Sequence, residues 1–416
     1  MNATIITIGD ELLIGQVIDT NSPWLSMQLN EIGIEVKSVI RVGDDENDIA
    51  KEINIAKEIS PIVITTGGLG PTSDDRTLDV FCNILKCKKY ENKRVLEHLE
   101  NIFKRRGLPL TETNRKQALV PEKADILFNK LGTAPGLHFD ISPAHFFVLP
   151  GVPFEMKDLY LNEVLPMLKK IKKGKSQYIH KTILLAGIGE SFLSDKIKDW
   201  EKALPVNMKL AYLPSPGYIR LRLSLMAEDA VSGKNLLNEY FEKLYPLVSE
   251  HYVNDTGDSI AETLLNEMSK NGKTLCIAES CTGGYVSHQL TAIPGSSKVF
   301  LGAVVAYSNE VKKNILNVKD ESINNFGAVS ADVVSEMATN ALKLMKTDYA
   351  IAVSGIAGPD GGTEEKPVGT VYIAVASKNN VASEKMLFNG QRDIVILRSS
   401  NAALYSCLKE LRKECK

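Results

Sequence analysis

Short apolar runs bounded by turn residues alternate along this chain with segments of helical periodicity. A β-branched run ending in turn residues marks a buried strand. "ATIITIGD" and "PIVITTGGLG" fit that description, the second running into a glycine loop. Between and after them, "SPWLSMQLNEIG" and "DRTLDVFCNILK" read as helices. In the first, Ser22 is expected as N-cap, Pro23 in the opening turn and Gly33 at the left-handed C-terminal position. Strand, loop, helix, strand predicts an α/β domain with a parallel sheet, its ligands at the carboxyl ends of the strands.

After Pro166 the pattern changes. "MLKKIKKGKS" is a basic run, read as a solvated helix end and linker rather than a nucleic-acid patch. Beyond it come the strand-like "YIHKTILLAGIG", "MKLAYLPS" and "YIRLRLSLMAE" and the helices "SFLSDKIKDWEKAL" and "GKNLLNEYFEKLYPLV", a small α+β unit. The last segment is again α/β. Its helices are "SIAETLLNEMSKNG" and "SADVVSEMATNALKLMK". Its strands are "TLCIAE", "VFLGAVVAYSN", "DYAIAVSGIAG" and "PVGTVYIAVAS", and a final helix begins near Ile394. The boundaries predicted are 1–170, 171–253 and 254–416.

Composition narrows the class. At 416 residues the chain is too long for one core, and 44% hydrophobic residues suffice for several. Lys+Arg number 49 against 51 Asp+Glu, a net charge of -2, so no global basic field recruits nucleic acid or an anionic membrane. No apolar run approaches the ~20 residues of a membrane span, and the N-terminus lacks the pattern of a signal peptide. A cytoplasmic protein without a membrane partner is expected. The six cysteines, Cys82, Cys87, Cys276, Cys281, Cys407 and Cys415, form no paired CxxC motifs and predict neither zinc nor a disulfide framework.

Two constellations carry chemistry. In "TTGGLGPTSDDRT", Gly67, Gly68 and Gly70 follow a strand and precede a helix, with Asp74 and Asp75 between. Glycines let a phosphate approach the backbone, and a helix N-terminus attracts it. Carboxylates beside a phosphate repel it unless a cation lies between, so a divalent metal with oxygen ligands is expected. The first strand's loop, "GDELLIGQVIDTN", adds Asp10, Glu11 and Asp19. The pattern is neither a Rossmann fingerprint nor a P-loop.

The second is "AESCTGGYVSHQL", where Ser280 and Cys281 stand side by side at the end of a strand. Cys281 has intrinsic nucleophilicity, although a cysteine there is more often a small buried apolar residue. Ser280 needs a base. Past residue 255 only His288 exists, eight residues further on and about 12 Å away along a helix. Ser-Lys chemistry is the remaining option, and Lys298, Lys312, Lys313 and Lys366 are all candidates by spacing. Gly283 and Gly284 open space and expose N–H groups that suit an oxyanion.

"GDELLIG…DTN" with the glycine-Asp-Asp loop resembles the molybdopterin-binding fold of MoaB and MogA. "NKLGTAPG" and "LPGVPFEM" resemble the N-terminal domain of the competence/damage-inducible CinA family. "AESCTGG", "AYSNEVKKNIL", "GAVS" and "SGIAGPDGGTEEKPVGTV" are similar to that family's nicotinamide mononucleotide deamidase domain, so the resemblance spans nearly the whole chain. It implies a molybdopterin-binding-like α/β domain, a small KH-like α+β middle domain and an α/β deamidase domain. It implies Ser280 as nucleophile, Lys312 as its partner and Tyr307 close by. Thr282, Gly283, Gly284, Ser354, Gly355 and Arg392 match the substrate site. Arg392 suits a phosphate. In the N-terminal domain it implies ADP-ribose pyrophosphatase activity with a divalent metal (Mg, Mn or Co). Gly67, Gly68, Gly70 and Thr77 would meet the substrate there, and Asp10, Glu11, Asp19, Asp74 and Asp75 the metal. Lys130 departs from the family, which usually has proline after Asn129. No cofactor is expected in the deamidase domain. A homodimer is expected, and no nucleic-acid partner, because "AGIGES" lacks the GXXG clamp of a KH unit. Rival readings are an N-terminal molybdopterin-binding module, or one catalytic domain reduced to a structural role.

Overall fold

The computed structural model describes residues 1–72, 74–172 and 177–414. The end of the basic run and Cys415 lie outside these residues. The chain divides into two compact units, Met1–Ile179 with Met226–Gly233, and His180–Leu225 with Lys234–Lys416.

The first unit is built on a six-stranded sheet in the order Glu35–Val42, Asn2–Ile8, Ile62–Thr66, Ala144–Leu149, Gly136–Ile141, Asp125–Leu127. The first four strands run parallel. The last two pair antiparallel, so the sheet is mixed rather than wholly parallel as expected. Both faces are covered. Ala3, Ile5, Ile62 and Ile64 pack with Leu25 and Leu29 of helix Asn21–Glu31. Ile6, Ile8 and Val63 point the other way, towards Ile49 and Ile53 of helix Glu46–Ile59 and Phe81 of helix Thr77–Leu85. A strand buried on both faces has no polar alternation, which is why these runs read as continuously apolar.

One expected cap is corrected. Ser22 lies inside its helix, which starts at Asn21. The carboxylate of Asp19 does the capping, accepting from the N–H of Asn21 and of Ser22, each at 3.0 Å, and from the Ser22 hydroxyl. Gly33 does take the left-handed conformation, at φ 71.

The second unit carries a four-stranded sheet in the order Met208–Ser215, Tyr218–Ala227, Gln177–Ala186, Tyr252–Asn254. It also carries a five-stranded sheet in the order Phe300–Val305, Leu275–Glu279, Tyr349–Gly355, Thr370–Ser377, Val381–Leu387. In the five-stranded sheet the first three strands are parallel and the last two antiparallel. Leu275 and Ile277 face helices Ile260–Lys270 and Arg392–Glu414; Cys276 and Ala278 face helix Ala331–Met345. Leu184, Ala186 and Val253 join the first of these cores. Arg412 reinforces that join, donating to the carbonyls of Tyr252 and Val253 and pairing with Glu267 at 2.6 Å. The middle segment and the last segment therefore share one hydrophobic core. Among the described residues no helix is long and apolar enough to cross a membrane.

Candidate active sites

Strand Leu275–Glu279 is buried throughout and delivers Ser280 to the sheet's carboxyl edge. The Ser280 N–H donates to Val353 O at 2.9 Å, fixing the nucleophile's backbone to the neighbouring strand. The next strand, Phe300–Val305, leads to Ser308, whose hydroxyl caps helix Asn309–Asn314 by accepting from the Val311 N–H. That short helix turns Lys312 inward until it is only 2% exposed. Its Nζ lies 3.0 Å from Ser280 Oγ and 2.8 Å from Ala306 O. Spacing left four lysines open. Lys313 is tied to Glu310 at 2.7 Å and Asp320 at 3.1 Å, and Lys366 donates to Phe326 O.

Burial pushes the Lys312 amine below the ordinary lysine value of 10.5. The cause is desolvation, which disfavours the charged form. Cys281 is buried as well, and burial pushes its thiol up to about 12, so it stays protonated and unreactive at neutral pH. The geometry thus joins a lysine amine to the serine and not to the cysteine.

Beside them, Arg392 donates from one nitrogen to Gly358 O at 2.6 Å and from another to the Tyr307 hydroxyl at 2.7 Å. Tyr307 and Arg392 are brought together although 85 residues apart. Thr282 is buried, and its hydroxyl has no partner among the described residues. Ser354 is 1% exposed and its hydroxyl donates to Ala328 O at 2.7 Å, so that donor is already committed. Gly355 is explained by packing, because an added Cβ would meet Thr370 O at 2.9 Å.

The glycines after Ser280 need correction. Gly283 and Gly284 both have positive φ (60 and 99), which is what glycine permits. Their N–H groups are not free for an oxyanion. Gly283 donates to Ser280 O and Gly284 to Glu279 Oε2. Glu279 is the residue that sequence reasoning missed. Its carboxylate is 0% exposed and accepts from the N–H groups of Gly284, Val286 and Ser287 and from the Ser287 hydroxyl at 2.6 Å. A buried anion thus closes the N-terminus of helix Tyr285–Thr291, where dipole and orphan donors favour it. The available signal was an acidic residue ending an otherwise apolar strand. Among the described residues the N–H groups of Cys281 and Thr282 donate to no other residue, and both directly follow the nucleophile.

In the first unit, a cavity of about 450 Å³ opens at the carboxyl ends of the parallel strands. Gly67, Gly68 and Gly70 line it, with Glu11, Asp44 and Asp74. Gly67 (φ 113) passes so close to Ile8 that an added Cβ would lie 2.1 Å from its carbonyl oxygen. Asp75 organises the loop, accepting from the N–H of Gly70 at 2.7 Å and of Thr72 at 2.9 Å. Thr77 is fully buried, with its hydroxyl on Gly67 O at 3.1 Å. Asp10 and Asp44 bind each other's backbone, at 3.0 and 3.1 Å. Burial, with repulsion from Asp10, Glu11 and Asp74, pushes the Asp44 carboxyl up; the Asp10 N–H opposes this.

Asp19 and Asp75 both line the cavity and also hold backbone donors, the one as helix cap and the other as loop brace; the Asp10 and Asp44 carboxylates likewise each accept one backbone N–H. Glu11 and Asp74 line this acidic corner of the cavity as well, and Asp44, not singled out beforehand, joins them; Asp10 lies close enough to repel Asp44 but is not among the lining residues. Among the described residues no group of three or more such side chains closes into a metal cage.

Comparison with known proteins matches three segments of the chain. Residues 257–411 match the CinA C-terminal domain, residues 4–170 a probable molybdopterin binding domain, and residues 180–253 the damage-inducible protein CinA KH domain. A CinA-like protein of Flavobacterium psychrophilum is 44% identical over 99% of each chain. One of Cytophaga hutchinsonii is 40% identical over 99% of this chain and 98% of that one.

The chain belongs to the CinA family. The acidic corner lies in the molybdopterin-binding-like domain and the Ser280–Lys312 pair in the CinA C-terminal domain. The middle segment of this CinA-family chain carries the family's KH domain, in which Gly187 (φ 72) and Gly189 stand only two apart.

Proposed function

We propose that the C-terminal site hydrolyses the amide of nicotinamide mononucleotide to nicotinate mononucleotide and ammonia. The observation that carries this reading is the 3.0 Å contact between Lys312 Nζ and Ser280 Oγ in a buried setting. Neutral Lys312 accepts the Ser280 proton as Oγ attacks the carboxamide carbon. The carbonyl oxygen becomes an oxyanion beside the N–H groups of Cys281 and Thr282. The C–N bond then breaks, and Lys312 returns the proton to the departing ammonia. Water hydrolyses the acyl-serine by the same path in reverse, with Lys312 again as base. Arg392, held by Gly358 and Tyr307, offers a guanidinium to the nucleotide phosphate. Ammonia release from nicotinamide mononucleotide by the purified protein, and its loss in Ser280→Ala, tests the reading. Full activity in Ser280→Ala would sink it.

For the N-terminal unit the reading supported best is cleavage of ADP-ribose to AMP and ribose 5-phosphate. What favours it is the acidic corner beside a glycine loop. The donor set fits a hydrated divalent cation that takes one or two carboxylates and completes its shell with water and phosphate oxygens. One or two of Asp10, Glu11, Asp44 and Asp74 would hold it, and it would neutralise the pyrophosphate and lower the pKa of a bound water. Asp75 and Thr77 keep the loop backbone in place for the phosphates.

A further inference from the structure

Helix Thr77–Leu85 ends in a way that brings two thiols together. Lys86, the residue after it, takes the left-handed conformation at φ 48 and ψ 53. The Lys86 N–H reaches back to Asn83 O at 3.3 Å, and the Cys87 N–H to Cys82 O at 3.1 Å. These two bonds make a Schellman motif, in which the side chains at the two ends of the longer bond commonly touch. That contact is usually apolar. Here both positions are cysteine and both are free, and they are the two ends of the 3.1 Å backbone bond.

We propose that Cys82 and Cys87 form a dithiol site that a peroxide closes to an intramolecular disulfide. A disulfide needs Cα atoms roughly 4.4–6.8 Å apart. The 3.1 Å bond from the Cys87 N–H to Cys82 O holds the two backbones side by side across this turn. Cys82 is buried and Cys87 is half-buried, so the oxidant meets Cys87 first. Its thiolate attacks a peroxide oxygen, the O–O bond breaks, and hydroxide leaves a sulfenic acid behind. Cys82 sulfur then attacks the sulfenic sulfur, the S–O bond breaks, and water departs with the thiol proton. The two sulfurs together lose two electrons, and the peroxide is reduced to two waters. Burial holds the Cys82 thiol up at about 11, so it is not the sulfur that meets the peroxide first. The same helix anchors the glycine loop through Thr77, but the proposal stands independently of any reading of that loop.

The test uses the full-length protein, hydrogen peroxide and then an alkylating reagent under denaturing conditions. Trypsin cleaves after Lys86, between the two cysteines. Mass spectrometry should therefore find two peptides joined by a disulfide, unlabelled and short of two hydrogens. Dithiothreitol should release both and restore labelling, while Cys276, Cys281 and Cys407 keep their labels throughout. In Cys82→Ser, Cys87 should stop at a sulfenic acid that dimedone traps; in the native protein dimedone should capture little. Labelling of both cysteines after excess peroxide would overturn the proposal. So would oxidation of Cys87 to a sulfinic acid with Cys82 still free.

Discussion

Replacing Lys312 by methionine removes the proposed base and little else. Methionine is close to lysine in length and apolar, and the site that receives it is almost closed, Lys312 being 2% exposed. Two contacts are lost, that to Ser280 Oγ at 3.0 Å and that to Ala306 O at 2.8 Å. The first loss is chemical. Removing a general base lowers turnover by roughly 10²–10⁴-fold, which is about 2.7–5.4 kcal/mol of transition-state stabilisation. The second is structural. It leaves one buried carbonyl without its donor, at about 1–3 kcal/mol of fold stability. A coupled ammonia assay measures kcat and KM, and a thermal melt confirms that the variant is folded at the assay temperature. Lys312→Arg is the companion, because arginine keeps the charge but cannot act as a base. Both variants should bind nicotinamide mononucleotide and turn it over at least ~100-fold more slowly. The pH profile supplies an independent check. The reaction needs the neutral amine, and burial holds its pKa below 10.5. In the native enzyme kcat/KM should therefore rise with pH through a value below that of free lysine. Methionine should abolish this limb. Turnover in Lys312→Met within tenfold of native, with the limb intact, would refute the assignment.

Cys281→Ala should retain most ammonia release, and neutral-pH thiol reagents should leave the native activity intact, because burial keeps this thiol protonated; inactivation by brief alkylation at Cys281 would contradict this. Glu279→Gln replaces a carboxylate that accepts four hydrogen bonds by an amide with one acceptor. It should cost about 3 kcal/mol or more in a denaturant titration, with KM and kcat both impaired; an unchanged midpoint would show that the first turn of its helix needs no anion. Chelation with EDTA should stop AMP formation from ADP-ribose and leave ammonia release unchanged, and Asp10→Asn should reproduce the first effect alone; metal-independent cleavage would remove the cation from the proposal. Asp75→Asn should impair the N-terminal reaction through a loosened glycine loop, visible as faster hydrogen exchange of the Gly70 and Thr72 amides, and an unaltered exchange pattern would instead favour direct contact with the cation.

The sequence by itself determined what local chemistry determines. Strands buried on both faces announced themselves as unbroken aliphatic runs at Ile5, Ile62 and Ile277. Gly33 and Gly67 had to be glycine for backbone reasons, and both take positive φ. The absence of a histidine near Ser280 pointed to lysine without any coordinates. Spacing, however, could not choose among lysines, because only packing against Ala306 and Ser280 buries one of them and so lowers its pKa. Nor could it divide the acidic residues by task. Asp19, Asp74 and Asp75 are the same side chain near the same loops. All three line the cavity, and whether each also caps a helix or braces a turn depends on which N–H groups the fold places about 3 Å from it. The amides of Gly283 and Gly284 passed for an oxyanion site until tertiary structure laid Glu279 against the helix they open. The meeting of Tyr307 with Arg392, and of Leu184 and Val253 with the C-terminal core, belongs to the same class. A hydrogen bond or a packed contact between residues far apart in sequence leaves no periodic trace in it, since its strength comes from desolvation and geometry that exist only once the chain has folded.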